Sequence, residues 1–295
     1  MRELGHDSQS LRADRAQLLA ALPTTGESST RPLQILHDLL KEESGPWPVF
    51  ALVKCLTRVY KHLPEDVKTG KDETSAILLR ETSDLVKASY SSLAQFIAPE
   101  NKPALRASSG GDVISHRELH NFVTDFTLPV STGCKPIVSI AVPNGPLLAA
   151  TCTAVTTYYT ASPINPAAGP EQFRADILQA RADFILTTHE EYEKLQLNAS
   201  WVSENGIRVF IVDWVAGQGL SVKTLNRDAV SAGSDRVANK ADDISLILFT
   251  SGTSGTKKVV PLTTHSIVTG VVAVIESWGL TSEDICLNMM PLYHV

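Results

Sequence analysis

The spacing of apolar residues along the chain changes near residue 100. From Leu33 to Ile97 apolar side chains recur at helical intervals, which predicts three or four helices with breaks at 45–48 and 64–74. After residue 101 short apolar runs alternate with amphipathic segments. The predicted strands are 137–142, 184–187, 207–212, 244–249 and 285–290, and the predicted helices are 146–159, 173–182, 190–197 and 265–278. Strands that alternate with helices predict an α/β fold whose mainly parallel sheet is covered on both faces.

Local signals predict some helix ends in this alternating part. Ser115-His116-Arg117-Glu118 has the form of a capping box, which predicts a helix starting after Ser115. Gly279 is the predicted terminator of the helix 265–278. In that helix the side chains predicted to face inward are those of Ile267, Val271, Val274 and Ile275. The polar stretch 217–243 is predicted to be a long loop leading into the strand 244–249.

These patterns divide the chain into three segments. Residues 1–31 form a polar lead that is predicted to be mobile. Residues 32–100 form a helical extension without recognisable chemistry, and residues 101–295 form the α/β domain. All the candidate functional residues lie in that third segment.

Composition and charge argue against several classes of protein. The net charge is −6 and no basic cluster is longer than Lys257-Lys258, so a nucleic-acid partner is not expected. The four cysteines are too scattered for a zinc site or a disulfide framework, which favours a reducing compartment. No apolar run approaches the ~18 residues of a membrane span, and residues 1–20 lack the apolar core of a signal peptide. We therefore expect a cytoplasmic protein without a membrane span.

The candidate chemistry centres on residues 250–261, whose sequence is Thr-Ser-Gly-Thr-Ser-Gly-Thr-Lys-Lys-Val-Val-Pro. Glycines allow successive backbone N–H groups to point at phosphate oxygens, hydroxyl groups add short donors, and Lys257 or Lys258 supplies positive charge. A Walker A loop is excluded, because only two residues separate Gly252 from Gly255 and no Ser or Thr follows the lysines. A flexible surface turn of the same composition is the simpler alternative.

The same stretch resembles the phosphate-binding signature of the adenylate-forming superfamily, which includes acyl- and aryl-CoA synthetases and the adenylation domains of non-ribosomal peptide synthesis. Residues 250–255 follow that signature and Lys258 falls on its lysine, whereas Lys257 replaces the usual Pro and Val259 the usual Gly. Further segments that resemble superfamily motifs follow in the expected order: 113–119, 142–146, 161–166 and 291–295. The resemblance implies the amino-terminal part of the superfamily's AMP-binding domain.

The resemblance also implies a reaction and a set of site residues. ATP would convert a carboxylic acid to an acyl adenylate, and the acyl group would pass to the thiol of CoA or of a carrier protein's phosphopantetheine. The residues that would bind the ATP phosphates together with Mg²⁺ are Thr250, Ser251, Gly252, Thr253, Ser254, Gly255, Thr256 and Lys258. Lys258 would neutralise the departing pyrophosphate as a catalytic residue. Tyr293 would wall the acyl pocket and His294 would orient the carboxylate, although a histidine at a strand end can also be satisfied by backbone groups. No metal-ligating residue is assigned.

Several superfamily motifs do not occur in the chain, namely those that bind adenine, ribose and Mg²⁺ and the one that supplies a second lysine. We therefore expect a truncated AMP-binding domain that cannot complete adenylation alone and whose uncovered sheet edges reduce its solubility. Three functions stay open: an acyl-CoA synthetase or part of one, an adenylation module that loads a carrier protein, and a non-catalytic protein that binds a nucleotide or a partner. A peroxisomal location also stays open.

Overall fold

The structure, a computed structural model, describes residues 30–42, 49–90, 92–110, 113–130, 135–215, 219–225, 236–250 and 257–293. These residues form two compact units. The helical unit holds the described residues up to Tyr90, together with Lys240–Asp242 and His265–Ile285, and the sheet unit holds the rest. The predicted mobile lead 1–31 lies outside the described residues except for Thr30 and Arg31.

The described residues form ten α-helices and nine strands. The helices are α1 Arg31–Glu42, α2 Val49–His62, α3 Glu65–Lys68, α4 Glu73–Ala88, α5 His116–Asp125, α6 Pro146–Tyr158, α7 Pro170–Ala180, α8 His189–Lys194, α9 Ser200–Glu204 and α10 Thr264–Trp278. The strands are β1 Pro103–Arg106, β2 Val113–Ser115, β3 Ile137–Ala141, β4 Thr160–Pro163, β5 Phe184–Thr187, β6 Arg208–Val215, β7 Gly219–Lys223, β8 Ile244–Thr250 and β9 Lys258–Thr263. Every helix that the structure describes is too short or too polar to span a bilayer.

The helices predicted before residue 100 are confirmed as α1, α2 and α4, with the single turn α3 between the last two. Their regularly spaced apolar residues form the interior of the helical unit, including buried Leu36, Leu52 and Val86. α10 belongs to the same unit, and its Glu276 accepts hydrogen bonds from Lys54 and Arg58 of α2, each at 2.7 Å. The Glu276 carboxylate therefore links two helices that are far apart in the sequence.

The sheet unit confirms the predicted α/β fold with a mainly parallel sheet. Its seven strands lie in the order β7-β6-β5-β3-β4-β8-β9. The five central strands run parallel to one another, and β7 and β9 pair antiparallel with β6 and β8 at the two ends of the sheet. β1 and β2 form a separate antiparallel pair. The alternating pattern thus predicted four of the five parallel strands and missed β4 between β3 and β8, and the antiparallel strands at the two ends come in addition.

Helices cover both faces of this sheet, as predicted. On one face α6 packs through Leu148 into the same core as Ile140 of β3. On the opposite face α7 packs through Phe173 and Ile177 into the core that contains Ile185 of β5. Successive residues of a strand point to opposite faces, so the apolar runs of the central strands supply both cores.

Two helix ends agree with the local sequence signals. At the start of α5 the Ser115 N–H donates to Glu118 Oε2 at 2.8 Å, and the Glu118 N–H donates to Ser115 Oγ at 3.2 Å, which confirms the capping box. After α10, Gly279 has a φ of +65°, and the Leu280 N–H donates to the Ile275 carbonyl at 3.0 Å. Glycine adopts this left-handed conformation without steric cost, so it ends the helix as predicted.

Five strands, namely β1, β2, β4, β7 and β9, were not predicted as strands, and one predicted strand does not form. β7 lies inside the stretch predicted as a loop, and β9 was not predicted at all. The segment 285–290 is not a strand, and Ile285 is 98% exposed. A segment forms a strand where a neighbouring strand exchanges backbone hydrogen bonds with it. β6 provides these bonds to β7, and β8 provides them to β9. No described strand pairs with 285–290.

The inward face of α10 was also predicted incorrectly. Val271 and Val274 are 50% and 43% exposed, whereas Val268 and Val272 are buried. Val268, Val272 and Glu276 are four residues apart and share one stripe of the helix. Because Glu276 is bound to α2, this stripe is the one that faces the interior of the helical unit.

Candidate functional site

The Gly/Ser/Thr-rich stretch lies between β8 and β9. β8 ends at Thr250, β9 begins at Lys258, and these two residues are directly opposite each other in the antiparallel pair. Since β8 runs parallel to β4, Thr250 lies at the carboxyl edge of the parallel strands. The predicted phosphate-binding residues outside the described part of the chain are Ser251, Gly252, Thr253, Ser254, Gly255 and Thr256. The structure therefore places both ends of the predicted stretch at one point on the carboxyl edge of the sheet.

The two adjacent lysines have different surroundings. Lys257 Nζ lies 2.6 Å from Oδ2 of Asp176, whose side chain is 3% exposed on α7. Gln172 donates a hydrogen bond to the other carboxylate oxygen of Asp176, and Gln179 donates one to the Lys257 carbonyl, both at 2.7 Å. Lys258 is exposed at the first position of β9. Of the two lysines considered for phosphate binding, Lys257 is neutralised by a carboxylate and Lys258 keeps its ammonium group at the surface.

The carboxy-terminal motif contacts the loop that follows β3. The Leu292 N–H donates a hydrogen bond to Asn144 Oδ1 at 3.0 Å. Leu292 and Tyr293 also pack against the core on the α6 face of the sheet. Tyr293 is thus anchored beside the carboxyl end of β3, whereas the predicted carboxylate-orienting residue His294 lies outside the described residues.

Strand order brings the two motifs to the same edge of the sheet. β3 and β8 both run parallel to β4 and lie on either side of it. Their carboxyl ends, one preceding Asn144 and the other at Thr250, therefore point the same way. Neighbouring strands are about 4.8 Å apart, so two strand spacings separate the ends by roughly 10 Å. This distance suits two parts of one ligand site.

A cavity of about 420 Å³ opens at the carboxyl ends of β3, β5 and β6. Its lining combines apolar and polar side chains, among them Pro143, Leu147, Ile211, Thr188 and Asp213. The strand order reverses here, because β3 is followed by β4 on one side and β5 by β6 on the other. Ligands of open α/β sheets commonly bind at such a reversal. The sequence alone did not predict this cavity, since it depends on the order of the strands.

The described residues do not by themselves form a magnesium site. Near the end of β8 they offer the hydroxyl group of Thr250, while the carboxylate of Asp176 is occupied by Lys257 and Gln172. Within the described ranges, no group of three or more His, Cys, Asp or Glu side chains could hold a metal ion. Protein-bound Mg²⁺ usually has one or two carboxylates besides phosphate oxygens and water. No catalytic step is therefore assigned to a metal held by these side chains.

Sequence reasoning missed three residues around this site: Asn144, Asp176 and Gln179. Asn144 lay in a recognised motif, but its contact with Leu292 links residues far apart in the chain. Asp176 and Gln179 lie among the apolar residues of α7, and Asp176 directly precedes buried Ile177. The available sequence signal was the position of charged Asp176 next to the apolar core residue Ile177, because a buried charge needs a partner.

The sequence matches the family described as AMP-binding enzyme over residues 95–295, about two thirds of its length. The chain belongs to the AMP-binding enzyme family. Membership confirms the resemblance to the adenylate-forming superfamily that the motifs indicate, and the match includes both the Thr250–Lys258 region and the Leu292–Tyr293 region.

This AMP-binding family member is similar to curated CoA ligases. It is 29% identical over 192 residues to the oxalate–CoA ligase of Arabidopsis thaliana. The aligned region covers 63% of this chain and 37% of that protein. It is 25% identical over 196 residues to the probable CoA ligase CCL9 of Humulus lupulus, covering 63% of this chain and 36% of that protein. The chain thus spans little more than a third of the length of these curated relatives.

A solved structure of apo MatB from Rhodopseudomonas palustris matches the family member's fold. The TM-score is 0.50 at 18% identity, over 68% of this chain and 40% of that chain. At this identity the likeness concerns the fold alone, and it agrees with the α/β architecture built around the mainly parallel sheet.

Proposed function

We propose that this AMP-binding family member acts in the ATP-dependent activation of a carboxylic acid as an acyl adenylate, followed by transfer of the acyl group to CoA. The observation that supports this most is the position of Thr250 and Lys258, two strands from the contact between Leu292 and Asn144. ATP and a carboxylate that react at one phosphorus atom need adjacent sites. Since the chain spans part of its relatives, nucleotide binding is the first step to test.

In the proposed first step a carboxylate oxygen bonds to the α-phosphorus of ATP while the bond to the bridging oxygen breaks and pyrophosphate leaves. The exposed ammonium group of Lys258 would neutralise the charge that develops on pyrophosphate. Hydroxyl and backbone N–H groups of 250–256 would bind the β- and γ-phosphates. Mg²⁺ would arrive bound to the phosphate oxygens. In the second step a thiolate attacks the acyl carbonyl carbon and AMP leaves with the bonding electron pair.

Tyr293 and His294 would act on the carboxylic acid. Tyr293 is partly buried against the core of the sheet unit, so its ring could form a wall for the acyl group. His294 follows it directly, and its imidazole could donate a hydrogen bond that aligns the attacking carboxylate oxygen. These two roles complement the phosphate-binding role of the stretch after β8.

The ATP-binding part of the proposal is tested with the 295-residue chain by calorimetric titration with Mg·ATP. We expect Lys258→Met to weaken binding about tenfold or more, because a charge-assisted contact to phosphate is lost. As a matched control, Lys102→Met removes an exposed lysine that pairs with Glu100, and binding should stay the same. The proposal fails if the unaltered chain binds no Mg·ATP or if both variants bind it equally well.

The acid and the thiol are tested by carboxylate-dependent ATP–pyrophosphate exchange with the native protein isolated from its cells. Oxalate is the first acid to try because of the Arabidopsis relative, followed by acetate and a medium-chain fatty acid. CoA is the proposed acceptor because the relatives that span most of the matched region are named as CoA ligases. Loading of a carrier protein's phosphopantetheine without formation of a CoA thioester would instead support the adenylation-module alternative.

Two further expectations belong to this proposal. We infer that residues 32–100 are a helical extension of a domain that spans 101–295, as the change in apolar spacing suggests. We also infer a cytoplasmic location, since the scattered cysteines suit a reducing compartment. Fluorescence imaging of the tagged native protein would test the location, and a peroxisomal signal would contradict it.

A further inference from the structure

Helix α7 binds the start of β9 through a row of polar side chains. Gln172, Asp176 and Gln179 are spaced four and three residues apart and so lie on one face of the helix. Asp176 accepts a hydrogen bond from Lys257 Nζ at 2.6 Å, and Gln179 donates one to the Lys257 carbonyl at 2.7 Å. Both the side chain and the backbone of Lys257 are therefore bound to α7, immediately before Lys258.

We propose that Asp176 is a positioning residue for phosphate binding: it holds Lys257 on α7, fixes where β9 begins, and leaves Lys258 to present its ammonium group to the ATP phosphates. This inference rests on the proposed function. Lys257 stands where the superfamily signature has Pro. A proline restricts its own backbone through its ring, whereas a lysine must be restricted by contacts. Asp176 and Gln179 supply such contacts.

The burial of Asp176 distinguishes this pair from an ordinary surface ion pair. Its side chain is 3% exposed, and each of its carboxylate oxygens accepts a hydrogen bond, one from Lys257 and one from Gln172. Removal of Lys257 would leave the buried Asp176 carboxylate without its cation, so the pair matters more than an exposed one. The surface pair of Lys102 and Glu100 has side chains 70% and 54% exposed, and pairs of that kind contribute little.

The ion pair of Lys257 and Asp176 also gives the two adjacent lysines different roles. The negative charge of a bound carboxylate largely cancels the attraction that an ammonium group exerts on a phosphate oxygen. The antiparallel pairing sets Lys258 opposite Thr250, at the end of β8 where the phosphates are proposed to bind. The geometry therefore assigns an anchoring role to Lys257 and the phosphate contact to Lys258.

The first test is a double-mutant cycle on Mg·ATP affinity in the 295-residue chain. Asp176→Asn and Lys257→Met each remove the same ion pair, so each should raise the dissociation constant by a similar factor of about ten. The double variant should bind no more weakly than either single variant, because the interaction is already lost. Lys258→Met should weaken binding further when added to either one.

The control is Lys135→Met, which breaks another Lys–Asp pair of the sheet unit. Lys135 binds Asp243, just before the start of β8 and so at the opposite end of the β8–β9 pair from Lys257. Its loss should leave the affinity for Mg·ATP unchanged. If Lys257→Met weakens binding and Asp176→Asn does not, Lys257 contacts the phosphates itself and the positioning role is wrong. Additive losses in the double variant, or no loss in either single variant, contradict it as well.

A second measurement needs no nucleotide and so separates this inference from the proposed function. Hydrogen–deuterium exchange is followed in the peptide that covers β9, with no ATP present. Asp176→Asn and Lys257→Met should each speed its exchange about tenfold, as expected for a lost charge-assisted hydrogen bond, and Lys135→Met should not. If the unaltered chain binds no ATP, the proposed function fails, and the exchange rates alone decide whether Asp176 fixes the start of β9. Unchanged exchange in both variants would overturn the inference.

Discussion

His265 lies beside Tyr90 in the helical unit, with the Tyr90 hydroxyl oxygen 3.0 Å from His265 Nδ1. Burial lowers the pKa of His265 and the charge of Lys87 lowers this pKa further, against a smaller opposite effect of Asp242. Burial also raises the pKa of Tyr90, which keeps its hydroxyl group protonated. With the imidazole proton on Nε2, Nδ1 accepts the hydrogen bond from Tyr90. The folded unit therefore favours neutral His265.

We expect the helical unit to lose stability as the pH falls below about 6.5, the usual pKa of histidine in an unfolded chain. Below that pH the unfolded chain takes up a proton that folded His265 does not, and the loss continues until the pH passes the lowered folded pKa. Above about pH 6.5 the stabilising contribution of neutral His265 to the folded unit is fully present. Urea unfolding at about pH 7.5 and about pH 5.5 measures the difference. His265→Asn, which cannot titrate, should show a smaller pH dependence, and an equal one would contradict the prediction.

The role of a single residue could be predicted from sequence where it depended on composition and motif, and not where it depended on a distant partner. Lys258 was assigned from the signature, and its exposure at the end of the Gly/Ser/Thr-rich stretch is consistent with that assignment. The ion pair of Lys257 joins it to Asp176, which is 81 residues away in the chain. No local pattern encodes such a contact, so composition alone left both lysines as candidates.

At the scale of elements, the helix ends that carry a capping box or a terminating glycine were predicted well, because those signals lie within a few residues. The capping box of Ser115 and Glu118 and the glycine after α10 are both of this kind. β7 and β9 were missed because each is stabilised by pairing with one neighbour at an end of the sheet. Pro261 within β9 further weakened the strand signal, although proline is tolerated in a strand at the end of a sheet.

The capping box gives a prediction for α5. Ser115→Ala removes the hydroxyl oxygen that accepts from the Glu118 N–H, and we expect a loss of about 1 kcal/mol in the free energy of unfolding of the sheet unit. Chemical denaturation followed by circular dichroism measures this loss. Ser115→Thr keeps a hydroxyl group at the cap and should retain most of the stability. Equal losses in the two variants would show that the hydroxyl group does not cap the helix.

For the molecule as a whole, the sequence predicted the fold class and the order of motifs along the chain, and the structure added the order of strands in space. That order places Thr250 and Asn144 at the same edge, two strands apart, although they are far apart in sequence. It also creates the cavity at the ends of β3, β5 and β6. Alternating strands and helices are compatible with several strand orders, so neither feature could be derived from the pattern.

The helical unit joins segments from both ends of the described chain, and Glu276 connects them. Burial alone would raise the pKa of Glu276, but hydrogen bonds from Lys54 and Arg58 lower it overall, so the ionised carboxylate is the bound form.

We expect Glu276→Gln to speed hydrogen–deuterium exchange in α2 and α10 about three- to tenfold, because two partly exposed charge-assisted hydrogen bonds are weakened. Strands β3 and β5 belong to the sheet unit and should exchange at the original rate. Glu283→Gln, an exposed change after α10, is the control and should alter neither unit. Faster exchange in β3 and β5 as well would mean that the two units unfold together, whereas unchanged exchange in α2 would mean that Glu276 does not hold α10 to it.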